Sequence, residues 1–178
     1  NLDLAVIAVL QLGAFCYGTT VISQARPFFI GAAIDRFTPV YANDLAEGDL
    51  ADAKALGYSK GSWLGPVLVA AATPVDINEK NHLTFSAVNG KDIDKFPKYY
   101  VPYERLADEL LAKAKPLQAL ASRSIENRRL VDAFVASKHV AVEVLPYLPL
   151  HGRTQEYAMI IQRVSKLPNG AFPIDPWL

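Results

Sequence analysis

The sequence predicts an α+β protein: an N-terminal transmembrane helix followed by a small domain with a mainly antiparallel sheet and several helices. Three features predict it. The 22-residue run from Leu4 to Ala25 holds no Asp, Glu, Lys, Arg or His. Strand-like segments stand at both ends of residues 27–178, and segments of helical periodicity fill the middle. The length of 178 residues suits one domain of ordinary size plus such a helix. The chain therefore divides into a transmembrane element at 1–26 and an α+β domain at 27–178.

As a helix the run spans about 33 Å, against a hydrocarbon core of roughly 30 Å. No proline interrupts it, and Pro27 follows directly. A cleaved signal peptide fits less well, because its apolar core is usually only about 7–15 residues and follows a basic segment. Leu4, Ile7, Gln11, Ala14 and Gly18 share one helix face. Ala14 and Gly18 form a small-xxx-small pair, and the Gln11 amide needs a partner inside lipid. This face is expected to pack against another membrane helix. Gln11→Leu combined with Gly18→Ile then weakens association in a membrane-helix dimerisation assay; unchanged association would remove the idea.

After Pro27 the periodicity changes. Phe28–Ile34 and Phe37–Tyr41 read as short strands joined near Asp35 and Arg36, with Pro39 making the second an edge or irregular strand. Residues 43–58 suit a short helix with Asp44 as a cap, and 59–65 a turn region around Trp63. Pro66–Ala72 reads as a buried strand. Asp76 caps a helix to about Val88, which Asn89-Gly90 ends. Phe96 to Pro102 reads as a loop. Leu106, Leu110, Leu111 and Ala114 make the apolar face of the next helix, which Pro116 ends. A further helix over 125–138 is expected to bury Leu130, Val131, Ala133 and Phe134. Val142–Leu150, carrying Pro146 and Pro149, reads as an edge strand. Tyr157–Val164 reads as a strand that turns at Pro168-Asn169-Gly170 into a partner over 171–174.

Composition and motifs exclude more than they assign. Asp3 is the one acid before Arg26, so residues 26–178 carry 18 basic and 17 acidic groups. That balance lacks the clustered basic face that nucleic acid requires. The single cysteine, Cys16, rules out an intrachain disulfide. His82, His139 and His151 have no second ligand at metal spacing, and Gly90-Lys91 lacks the phosphate-loop glycines. His151, in a loop after a strand, has no nucleophile motif beside it. Asp92 and Asp94 resemble a fragment of a calcium loop without its later ligands and read as turn residues. No catalytic, cofactor or metal residue is expected. Phe96, Tyr99, Tyr100 and Tyr103 with Trp63 read equally as an aromatic binding surface or as core.

Several segments taken together are similar to a known family. They include Asp3-Leu4-Ala5-Val6, Tyr17-Gly18, Gln24-Ala25-Arg26-Pro27, Ile34-Asp35-Arg36-Phe37, Gly65-Pro66, Gly90-Lys91-Asp92-Ile93 and Pro102-Tyr103. Tyr147-Leu148-Pro149-Leu150, Tyr157-Ala158-Met159-Ile160 and Pro173-Ile174-Asp175-Pro176-Trp177 follow in the same order. The chain resembles the type IV pilin accessory proteins of the TfpX/TfpZ type. The resemblance implies a bacterial inner-membrane protein with several N-terminal helices, of which residues 4–25 are the last, and a soluble domain in the periplasm. It implies a non-catalytic role in pilin stability, assembly or pilus extension, with the major type IV pilin and other inner-membrane assembly proteins as partners. A helper laid out like its client can pair helix with helix and domain with domain, and tethering strengthens both contacts. Leu4, Ile7, Gln11, Ala14 and Gly18 are the candidate helix face, and Asp35, Arg36, Tyr99, Tyr100 and Tyr103 the candidate partner surface. Two rivals stand: a sensor domain, which requires a closed pocket with convergent polar groups, and a pilus-modifying enzyme, which requires a cleft holding His151 near an acid and a hydroxyl.

Overall fold

A computed structural model describes residues 2–58, 65–138 and 145–177. The expected turn around Trp63, His139 and the first residues of the expected strand at 142–150 lie outside them. Helix α1, Leu2–Gln24, is long and apolar enough to cross a bilayer, and none of its candidate span, Asp3–Ser23, is buried. Its hydroxyls turn inward on the helix: Thr19 donates to the Phe15 and Cys16 carbonyls and Thr20 to that of Cys16, as lipid demands of polar groups.

Strands β1 (Pro27–Ala33) and β2 (Arg36–Tyr41) form the expected hairpin. Its turn holds Ile34 at a φ of 58°, a conformation that branched side chains rarely adopt. Ile34→Gly therefore raises stability by about 1 kcal/mol, read as an upward shift of the thermal midpoint. Helix α2 (Glu47–Ala55) follows, then β3 (Val67–Ala71) and α3 (Ile77–Val88). The Asp76 carboxylate accepts from the Asn78 and Glu79 amides, and Gly90 leaves the helix at a φ of 81°. Single turns at 93–95 and 97–99 lead to β4 (Tyr100–Pro102), so the expected loop contains a strand. Next come α4 (Ala107–Lys113), the two-residue β5 (Lys115–Pro116), α5 (Gln118–Ala121) and α6 (Ile125–Lys138). The chain closes with β6 (Pro146–His151), β7 (Glu156–Ile161) and β8 (Pro168–Phe172).

The described strands form one mixed sheet in the order β4-β3-β1-β2-β6-β7-β8, with β5 beside β6. Two neighbour pairs are parallel, β1 with β3 and β2 with β6, and the rest are antiparallel. The α+β expectation holds. Both faces are covered. Phe37, Leu148, Leu150, Met159 and Ile161 pack on one side with Ala107 and Leu110 of α4. On the other side, Phe29, Val40 and Val69 meet Ala53 of α2, Leu83 of α3 and the 93–99 turns. Tyr147, Ala158 and Ile160 lie beneath Leu120 of α5 and Val131 of α6.

Several local expectations are corrected. The proline-bearing β2 and β6 are interior, not edge, strands. They tolerate proline because only one register pair, Phe37 with Leu150, joins them, leaving few amide donors to satisfy. Asp44 does not cap α2; it accepts from the Tyr41 amide, while Asp49 reaches the Ala46 amide at the start of α2. On α6 Val131 is buried and Phe134 half-buried, but Leu130 and Ala133 are exposed. The last hairpin turns early, at 162–167, and Asn169-Gly170 lies inside β8. There Lys166 takes a φ of 59°, its amide donates to the Gln162 carbonyl, and Tyr103 Oη fixes the Lys166 carbonyl at 2.8 Å. That last contact comes from across the fold and has no local sequence signal.

Candidate functional site

Because β2 and β6 share only one bridge, the sheet opens beyond Phe37. A cleft of about 520 Å³ fills the opening. Thr38 and Pro39 of β2, the 90–95 turn after α3, and the β6–β7 turn at 151–156 line it. Gly152 makes the second turn possible. A Cβ there would lie 2.3 Å from the Gln155 carbonyl oxygen, which backbone cannot yield. Gly152→Ala therefore displaces the turn and breaks the neighbouring Arg153 contacts; a crystal structure or amide NMR of the variant checks it.

The wall groups are fixed by paired charges. Arg153 donates to Asp44 at 2.7 Å and to Asn43 at 2.6 Å, and its guanidinium lies 4.0 Å from the Tyr41 ring centroid. Arg36 bonds Asp35 and sits over the Trp177 ring. The Trp177 indole N–H donates to Glu156, whose other carboxylate oxygen bonds His151 Nδ1. The C-terminal segment thus forms part of the rim, with Arg123 holding the Pro176 carbonyl at 3.2 Å. Lys95 donates to the Gly90 carbonyl.

The deepest ionisable group of the cleft is Asp94, 5% exposed. Gly31 of β1 makes its seat, since a Cβ there would stand 3.2 Å from Asp94 Cβ. Tyr100 Oη donates to the Asp94 main-chain carbonyl. Burial first, and then the negative charge of Asp92, push the Asp94 carboxyl above the usual carboxylate range; a hydrogen bond from Thr38 and the charge of Lys95 pull partly the other way. Among the described residues its Oδ1 has no hydrogen-bond partner. Burial likewise pushes the Tyr103 hydroxyl up to about 12.

Of the expected surface, Asp35 and Arg36 stand at the hairpin end, and Arg36 lines the cleft. Tyr99, Tyr100 and Tyr103 do not join them: they are 9%, 3% and 2% exposed, with Phe96 buried beside them. Their hydrophobic rings are worth more in the core than on a surface, so the even choice between surface and core falls to core. Leu4, Ile7, Gln11 and Ala14 are exposed along α1, with Gly18 half-exposed. His151 does sit in a cleft beside an acid, as an enzyme would require. The Thr38 and Thr154 hydroxyls line the same cleft, and among the described residues neither is hydrogen-bonded to the imidazole. No group of three metal-ligating side chains occurs among the described residues. Sequence reasoning misses Trp177 and Asp94 as site residues, because only the tertiary fold brings a terminal Trp and a turn Asp to one cleft. A second exposed feature is the outer face of α3, where Ile77, Phe85 and Val88 continue from Val75.

The chain is similar to two proteins of Dichelobacter nodosus. One is the fimbrial assembly protein of serogroup I, 26% identical over 164 residues; the other is the fimbrial assembly protein of serogroup E1, 24% identical over 164 residues. Each match takes in 91% of this chain and 63% of the relative, so the chain spans less than two thirds of those proteins. No family model and no solved structure matches it.

Proposed function

We propose that this chain is a non-catalytic accessory factor of type IV pilus biogenesis, held in the bacterial inner membrane by α1 with its α+β domain in the periplasm. It acts through contacts with the pilin and other assembly proteins, and so supports pilin stability, assembly or pilus extension. The observation that carries this reading is the similarity, along almost the whole chain, to two fimbrial assembly proteins. Support comes from α1, whose candidate span is apolar and packs against nothing among the described residues, as a helix facing lipid and other membrane helices requires. The exposed α3 stripe and the Arg36–Trp177 rim supply apolar, Trp and Arg anchors of the kind that dominate protein interfaces.

The reading predicts that deleting the gene reduces surface pili, and that restoring the natural full-length protein recovers them. Replacing residues 4–25 by an unrelated leucine span should restore membrane insertion but not piliation. Normal piliation in the deletion strain would refute the assembly role.

A further inference from the structure

Every basic side chain that lines the cleft already meets an acid or a carbonyl: Arg153 with Asp44, Arg36 with Asp35, His151 with Glu156, and Lys95 with the Gly90 oxygen. Two of the four carboxylates that line the cleft, Asp92 and Asp94, have no such partner among the described residues. Asp94 is buried with Oδ1 unpartnered among the described residues, and the donors that lower its carboxyl pKa are neutral, the Thr38 hydroxyl and its own backbone amide, with the charge of Lys95 acting without a hydrogen bond. Asp92 adds a second negative charge while spending its Oδ1 on the Ile93 amide. A buried carboxylate is costly until a donor meets it, and groups kept in such a state cluster at functional sites. Asp94 is also firmly placed, between the Gly31 backbone and the Tyr100 hydroxyl.

We infer that the cleft is a binding site for an alkylammonium or guanidinium group, as carried by a lysine or arginine, which donates to Asp94 with Asp92 beside it. The cleft volume lies within the range of small-ligand sites. The inference rests on the cleft alone and stands or falls independently of the assembly role.

The binding form is ionised Asp94, so affinity falls as pH drops through its raised pKa. The groups that face it are Asp92 and Lys95 on its own turn, Thr38 on β2 and Tyr100 on β4; Arg36, Asp44, His151, Arg153 and Glu156 line the same cleft.

The test is an amide NMR titration of the full chain in detergent micelles with Nα-acetyl-lysine methylamide, its uncharged norleucine analogue, and butylammonium. Saturable shifts at residues 90–95 and 151–156 with the lysine derivative, absent with norleucine, are expected. Asp94→Asn should weaken binding at least tenfold, and Asp92→Asn several-fold, with circular dichroism unchanged. Tighter binding of the lysine derivative than of butylammonium assigns the cation to a polypeptide; equal binding assigns it to free amines. No saturable shift with either cation, or undiminished affinity in both variants, would overturn the inference.

Discussion

Phe37→Ala lowers the unfolding free energy by about 3–5 kcal/mol. At roughly 2–4 °C per kcal/mol for a chain of this size, the thermal midpoint of the α+β domain falls by roughly 6–20 °C. Phe37 is fully buried and forms the single register pair, with Leu150, that joins the two halves of the sheet. Its ring also stacks on Tyr103, with centroids 6.2 Å apart. Truncation therefore removes apolar burial, leaves a cavity, and weakens the one bridge that sets the cleft. Near-UV circular dichroism on heating measures the change. Tyr147→Phe is the contrast: Tyr147 is just as buried, but its hydroxyl has no partner among the described residues. Losing that hydroxyl should be neutral or stabilising, since a buried unpaired polar group costs about 1–3 kcal/mol.

Asp94→Asn has the opposite sign. The free chain should gain about 1–3 kcal/mol near neutral pH, because the amide keeps the shape of the carboxyl and removes a desolvated charge. The pH dependence follows from linkage. Burial raises the folded pKa of Asp94 above its unfolded value. Below the unfolded value, about 4, both states are protonated and the parent loses nothing. As pH rises through the raised folded value, the folded state must surrender a proton that it holds more tightly than the unfolded state does, and stability is lost. The advantage of the variant should be small at about pH 4 and grow as pH rises through the raised folded value, with thermal midpoints at each pH as the readout. A constant difference across that range would contradict the burial of the charge. A residue that weakens its own fold is expected where a site is prepared for a ligand.

Much of the fold is legible in the sequence because it is local. The charge-free run of α1, the Asp76 cap and Gly90 stop of α3, the α6 periodicity and the β1–β2 hairpin all declare themselves within a few residues. The failures share one cause. Pro39, Pro146 and Pro149 signal edge strands when each segment is read alone; the single Phe37–Leu150 bridge that lets them lie inside the sheet joins residues 113 positions apart. Asn169-Gly170 is a strong hairpin signal, yet the Tyr103 hydroxyl, fixed on the Lys166 carbonyl, places the turn earlier. The site is less legible than the fold. The hairpin end points to Arg36, but the tyrosines read equally as surface or core, since composition does not distinguish the two. Trp177 and Asp94 gain meaning only when β2 and β6 part and the chain end folds back to the rim.

Chemical crosslinking of the natural full-length protein in native membranes, with pull-down and mass spectrometry, tests the assembly role most directly. The account predicts recovery of a pilin, with crosslinks from α1 to its helix and from the Arg36–Trp177 rim or the α3 face to its soluble head. Recovery of no pilus component would contradict it.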